Sequence, residues 1–324
     1  MFDGPYFLRH SPDMNGDPLS DILTFLDAKC LVTGGFSAGG RWGVHFQSPK
    51  AIKFSAITKG ECWLVTDGFA EPQRLLTGDI IFFKGDRSFS MLSGLDVEPG
   101  DAEALIGRSG GMSVIGTGAD FINLGGHVAL DERRSGLLLD ELPPFIRISG
   151  ATREAAGLQW LLKELIDEGA LDSPGSNLST SHLAHLMYVR VLRAHLANSD
   201  IDTVGWLRGL GDARIAPALR LLHADPQHNW NLKELAKAAG MSRSVFAARF
   251  KAVVGVPPLN YLTTWRMRLA TQALQKGNQP LSLIAESLGY TSESAFSNAF
   301  KRAFGSAPKR FQSAAKSAAK SAAA

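Results

Sequence analysis

Two phenylalanines four residues apart, Phe246 and Phe250, are flanked by Arg243, Ser244, Ala247, Ala248, Arg249 and Lys251. Phe296 and Phe300 stand in the same relation to Glu293, Ser294, Ser297, Asn298, Lys301 and Arg302. Positions i and i+4 share one face of a helix, so each aromatic pair marks a buried side and leaves the small, polar and basic residues opposite. Those residues suit the reading of a nucleic-acid duplex. Asn298 can bond adenine bidentately and Glu293 can accept from cytosine N4. Ser294 and Ser297 can bond base edges, while Ser244, Ala247 and Ala248 offer shape and thymine-methyl contact. Arg243, Arg249, Lys251, Lys301, Arg302, Lys309 and Arg310 suit phosphate oxygens.

The elements that must carry these residues form a repeat. Leu232, Leu235, Ala236, Gly240, Ser242, Phe246, Phe250, Gly255, Pro258 and Tyr261 recur as Leu281, Ile284, Ala285, Gly289, Ser292, Phe296, Phe300, Gly305, Pro308 and Phe311. The offset is 49 up to the glycine and 50 from the serine onward. Each copy reads as a short supporting helix, a glycine turn and a longer helix, the pattern of a helix-turn-helix unit. Asn231 and Ser242 are good N-caps. A helix over Pro258–Gln275 joins the copies, with Tyr261, Leu262, Trp265, Leu269 and Leu274 available to pack on both. A rigid connector would let the two recognition helices enter major-groove segments about 34 Å apart on one DNA face.

Charge agrees with that expectation. Residues 225–324 carry a net charge of +10 and residues 1–224 one of −7. A basic module releases counterions from DNA on binding. Cys30 and Cys62 have no partners at metal-ligand spacing and read as reduced core side chains. The first residues lack a basic segment followed by an apolar stretch, and no run approaches the roughly 18 apolar residues of a membrane span. A cytoplasmic protein with no membrane partner is expected.

Residues 1–150 suggest many short strands. Cys30–Thr33, Ile52–Ile57, Glu61–Val65, Asp79–Phe83 and Phe121–Leu124 are apolar runs, separated by turn signals such as Gly34-Gly35, Asp67-Gly68 and Gly125-Gly126. This pattern fits a β-sandwich or small barrel. A short helix over Leu137–Pro144 and a last strand near Phe145–Ile148 follow. Glycine-rich Gly107–Gly118 lacks a phosphate-loop pattern and reads as turns. Leu158, Leu161, Leu162, Leu165 and Ile166 form one helical stripe; Leu183, Leu186, Met187, Val191, Leu192 and Leu196 form another. They predict an antiparallel hairpin with more apolar surface than it can bury itself, free to meet the DNA-binding domain or a second protomer. A third helix is expected near Ile215–His223. The predicted division is 1–150 for an effector domain, 151–224 for a helical linker, 225–313 for the DNA-binding domain and 314–324 for a low-complexity tail.

Leu232–Phe250, Ile284–Phe304 and Gly305-Ser-Ala-Pro-Lys-Arg-Phe311 resemble the DNA-binding domain of AraC-type transcriptional regulators. Pro18–Leu23, Gly60–Leu64, Gly78-Asp79, Leu142-Pro-Pro144, Gly205-Trp-Leu207 and His223–Pro226 resemble a subgroup with an amino-terminal cupin sensor. The resemblance implies an α+β multidomain chain: a cupin-like β-barrel, a helical hairpin and an all-α tandem helix-turn-helix. It implies that Ser244, Ala247, Ala248, Ser294 and Asn298 face bases. Double-stranded DNA is the expected partner, with RNA polymerase for an activator, a small-molecule effector and a second copy as further ones.

The rival reading is a metal-dependent cupin enzyme, such as a dioxygenase or isomerase. After Gly78-Asp79, Phe89 stands where the second cupin motif has a histidine, and Phe54–Gly60 contains none. His45 and Glu61 alone fall short of the three protein ligands usual for a catalytic metal. On α-helical spacing, His182, His185 and His195 read as surface residues. The expectation is therefore no cofactor, no metal and no catalysis, with Trp42, His45, Phe54, Trp63 and Phe82 as candidate effector-pocket residues.

Overall fold

The computed structural model describes residues 16–48, 52–66, 71–85, 87–107, 111–118, 120–131, 134–152, 155–170, 173–198, 204–276 and 279–314. The Asp67-Gly68 turn and the tail from residue 315 lie outside them. The chain divides into two compact units, Leu26–Thr203 and a second made of Met1–Phe25 with Val204–Ala324. The sequence had drawn boundaries at 150/151 and 224/225 instead.

In the Leu26–Thr203 unit the strands are β1 (Lys29–Gly39), β2 (Gly43–Phe46), β3 (Ile52–Lys59), β4 (Glu61–Thr66), β5 (Gln73–Leu76), β6 (Ile80–Phe83), β7 (Phe89–Leu92), β8 (Gly100–Asp101), β9 (Met112–Gly116), β10 (Phe121–Ala129) and β11 (Phe145–Ile148). They build two sheets, ordered β11-β6-β3-β10-β1-β9 and β5-β4-β7-β2-β8. Phe36, Trp42, Val44, Ile57, Leu64, Ile81, Phe83, Phe89, Met91 and Phe121 belong to one buried core fed by strands of both sheets. That is the two-layer solution to burying alternating apolar faces. The predicted runs all lie on strands or overlap them. The Gly107–Gly118 segment, read as turns, contains β9, which pairs parallel with β1. Glycines allow this, because a Cβ on Gly34 would lie 2.1 Å from the Gly111 carbonyl oxygen.

Among the described residues the helices include, in chain order, α1 (Pro18–Phe25), α2 (Ala102–Ile106), α3 (Gly136–Leu139), α4 (Ala155–Ala170), α5 (Ser176–Asn198), α6 (Trp206–Gly211), α7 (Ala216–Ala224), α8 (Leu232–Ala238), α9 (Arg243–Val254), α10 (Pro258–Lys276), α11 (Leu281–Ser287) and α12 (Glu293–Phe304). The predicted hairpin is α4–α5. Most of its apolar stripe, expected to wait for another domain or protomer, is buried within its own unit: Leu158, Leu161, Leu162, Leu165, Met187, Val191 and Leu192 are buried, Leu183 and Leu196 are half-buried, and Ile166 and Leu186 are exposed. Helix α5 packs on the large sheet, with the Tyr188 ring 5.7 Å from that of Phe82. A sheet with an apolar outer face supplies the surface the hairpin needs.

Among its described residues the other unit is all-helical. Helices α6 and α7 belong to it rather than to a linker, with Gly205 N–H donating to the Val253 carbonyl of α9 at 2.9 Å. Helix α1 also belongs to it, burying Leu19, Ile22, Leu23 and Phe25. Residues 308–314 close the second repeat as a helix. No helix among the described residues is long and apolar enough to cross a membrane.

Candidate functional site

The two repeats cap their longer helices alike, but only the first caps its supporting helix with a side chain, since Pro280 stands at the start of α11. Asn231 Oδ1 accepts from Lys233 and Glu234 N–H at 3.0 and 3.1 Å, and Glu234 accepts from Asn231 N–H at 3.1 Å. This reciprocal box satisfies donors at the start of α8 that the helix cannot pair internally. The turns that follow are alike: Met241 N–H donates to Ala236 O, and Tyr290 N–H to Ala285 O, both at 2.9 Å. They pass through Gly240 and Gly289 at φ of +62° and +76°, a region L side chains rarely adopt. Ser242 and Ser292 then accept from Val245 and Ala295 N–H, at 3.4 and 3.1 Å, and begin α9 and α12.

Phe246, Phe250, Phe296 and Phe300 are fully buried. Around the second pair, Met267, Ala270 and Leu274 of α10 join Leu281, Ile284 and Leu288 in one core. Tyr261 of α10 meets Phe250 edge-on, with ring centroids 6.0 Å apart. The connector therefore packs on both copies, as its apolar spacing suggests.

Opposite these anchors, Arg243, Ser244, Ala248, Arg249 and Lys251 are exposed on α9, with Ala247 half-buried. On α12, Glu293, Ser294, Asn298, Lys301 and Arg302 are exposed and Ser297 is half-buried, while Lys309 and Arg310 are exposed beyond it. Ser244 and Ala247 line an open groove with Asn231, Lys233 and Arg243. Arg249 differs from the other cations in being engaged already, its Nη2 2.8 Å from Asp212 Oδ2. Burial alone would raise the Asp212 carboxyl. Hydrogen bonds from Arg214 N–H, the Arg249 guanidinium and Ile215 N–H hold it below its ordinary value.

Sequence reasoning missed the way α1 joins this unit. His223 of α7 lies between Asp21 of α1 and Tyr261 of α10: its Nδ1 is 3.0 Å from Asp21 Oδ2 and its Nε2 2.8 Å from the Tyr261 hydroxyl. The imidazole also stacks on Trp265, with centroids 4.4 Å apart, and Trp265 meets Phe25 of α1 at 5.9 Å. Burial lowers the His223 pKa and raises that of Asp21, in each case against the attraction between them.

A second site lies in the Leu26–Thr203 unit. A cavity of about 220 Å³ opens between the sheets, lined by residues including Phe36, Phe46, Lys53, Ser55, Phe89 and Asn123. Phe54 is the one expected pocket residue that lines it. Trp42 instead packs into the core against Phe36 and Phe121, at 5.4 and 4.5 Å. Phe82 turns toward Tyr188. His45 Nδ1 lies 3.0 Å from Ser90 Oγ, and Trp63 sits half-buried on β4 opposite Arg74. Aromatic type alone does not reveal which face of a strand borders a void.

The would-be metal ligands are engaged separately. Strand β7 separates β2, which carries His45, from β4, which carries Glu61. Both Glu61 oxygens accept from Arg74 Nη2 at 2.7 Å. Asp79 is buried and accepts from Arg147 Nη2, Leu76 N–H and Gly150 N–H, at 2.7, 3.1 and 2.8 Å. The Phe89 ring lies between those of Phe83 and Phe46, at 3.8 and 4.8 Å. Among the described residues no three His, Cys, Asp or Glu side chains gather as a metal site. On α5, His182 is exposed, and His185 and His195 are half-buried.

Residues 17–197 match a protein family described as Cupin, and residues 235–314 match one described as Helix-turn-helix domain. Fold and faces define a helix-turn-helix DNA-binding protein with a cupin-like amino-terminal domain. A Streptomyces antibioticus protein, provisionally named an AraC-like transcription regulator, is 43% identical over 293 residues, spanning 90% of this chain and 97% of its own length. A Streptomyces lividans protein of the same name is 42% identical over 293 residues, spanning 90% and 96%. The HTH-type transcriptional regulator AlkR of Acinetobacter baylyi is 36% identical over 186 residues, spanning 56% and 60%. The chain belongs to the AraC-like transcription regulators.

Proposed function

We propose that the protein reads a bipartite site on duplex DNA and that a small molecule in the inter-sheet cavity controls it. The observation that carries the DNA reading is the matched pair of capped helices, each anchored by two buried phenylalanines and solvent-facing on its polar side. Ser244, Ala247 and Ala248 of α9, with Glu293, Ser294, Ser297 and Asn298 of α12, face bases. Arg243, Lys251, Lys301, Arg302, Lys309 and Arg310 hold phosphates, and Arg249 does so while tied to Asp212. The protein works in the cytoplasm, with RNA polymerase as its partner at promoters. It pairs with a second copy through the hairpin, where Trp160, Ile166, Leu178 and Leu186 are exposed.

The cupin domain senses rather than catalyses. Phe89 fills the place of a ligand histidine, and His45 and Glu61 have other partners. Stoichiometric iron, manganese or zinc in purified protein, with turnover of a substrate, would overturn that part. Selection from random DNA by the full chain tests the main reading. Enrichment of two half-elements about one helical turn apart, bound with a steep salt slope, supports it. Sequence-blind binding of every selected DNA, or none, counts against it.

A further inference from the structure

We infer that the inter-sheet cavity takes a small monoanion with a ring-sized apolar body, its carboxylate held on the Lys53 ammonium; this rests on the effector reading above. Lys53 lies on β3, in register with Phe83 of β6 and His127 of β10. Its ammonium sits 3.9 Å from the Phe46 ring centroid and 5.6 Å from that of Phe89. No carboxylate among the described residues pairs with it. Ring faces replace only part of the hydration a cation loses on burial, and an anion supplies the rest. Burial pulls Lys53 down to about 8, which leaves it protonated at neutral pH.

A second donor borders the same space. Ser55 donates to Asn123 Oδ1, and Asn123 is only 4% exposed. Its amide nitrogen has no partner among the described residues and is free to bond a carboxylate oxygen. Size sets the rest of the ligand. An engineered cavity of about 150 Å³ holds benzene, so about 220 Å³ holds one ring with a short acidic arm, not a long acyl chain. The remaining walls include Phe36, Phe46, Phe89 and Ile106. Among the described residues that line the cavity, Lys53 is the one cation, which suits a single negative charge. Glu103 of α2 also lines the cavity but is exposed, so water screens it.

The test is a calorimetric titration of the full chain at neutral pH with phenylacetate, its neutral isostere phenylacetamide and the cation phenethylamine. Phenylacetate should bind ~10-fold tighter than the amide or better, as expected for a charge-assisted contact, and the amine should give no heat. Lys53→Met keeps the apolar stem and should abolish the preference, while Lys53→Arg should keep it. Ligand-free melts establish that each variant folds. Equal affinity for acid and amide, or a preference that survives Lys53→Met, overturns the inference yet leaves a cavity that takes small molecules. Failure of all three probes overturns it together with the effector reading for molecules of this size.

Discussion

His223 Nδ1 lies 3.0 Å from Asp21 Oδ2 across 202 residues of sequence, and both side chains are almost completely withdrawn from solvent. Removing either partner leaves a buried polar group unpaired, which typically costs about 1–3 kcal/mol and more where that group is charged. Asp21→Ala and His223→Ala should each destabilise the DNA-binding unit by about that much, and the double variant by less than the sum. Urea unfolding of the full chain checks this. A truncated chain from Val204, which lacks α1, should unfold at lower urea than the corresponding transition of the intact protein.

The same pair predicts a pH dependence. Burial lowers the His223 pKa, so the folded chain resists a proton that the unfolded chain accepts below about 6.5. This contribution is complete above that value and is lost as pH falls through it. The raised Asp21 pKa works the other way at more acid pH. His223→Gln should flatten the stability curve between pH 8 and 5.5; an unchanged curve would contradict the assignment.

Asn298→Ala should remove about 1–3 kcal/mol of discrimination and relax preference at one base pair of the second half-element. Repeating the DNA selection with the variant tests it. An unchanged motif would mean that α12 reads DNA with other residues.

Two cations on the recognition helices, Lys301 and Arg249, should behave differently. Lys301→Ala should weaken all sequences alike and reduce the salt slope by about one. Arg249→Ala should change the slope less, because Asp212 already neutralises part of that guanidinium. Combining it with Asp212→Asn should separate phosphate contact from loss of the ion pair.

Both cysteines are buried, and burial pushes each thiol up to about 12. They should stay protonated and unreactive at pH 8. A disulfide thiol reagent should label neither in the native protein and both in denaturant. Rapid native labelling would point to redox sensing instead.

Phenylacetate affinity should fall as pH rises through about 8, where Lys53 loses its charge. His127, across β10, has its pKa lowered by burial and then by Lys53 itself, so it is neutral at pH 7 and above. A flat profile from pH 7 to 9 would exclude Lys53 as the anchor.

The DNA-binding half was legible because its signals are local. Asn231, Ser242, Gly240 and the phenylalanine pairs act within one or two helical turns, and the second copy repeats all but Asn231, where Pro280 stands. The cavity was not legible, because it depends on register. Lys53, Ser55 and Asn123 meet only when β3 pairs with β10, and a lysine in a strand carries no mark of being stacked on Phe46. Trp42 and Phe82 are packing residues, and their type alone does not distinguish packing from lining a void. Helix α1 has only 8 residues, and its polar partner lies in another sequence region.

The placement of α1 also orders events during synthesis. Asp21 leaves the ribosome long before His223 and Tyr261 are made, and at about 5–20 residues per second the delay is roughly 10–40 s. Leu19, Ile22, Leu23 and Phe25 have no dock in their own unit until then. Helix α1, the first of the described helices to emerge, is thus among the last to settle, and a nascent chain stalled before Tyr261 holds an apolar segment that chaperones would be expected to shield.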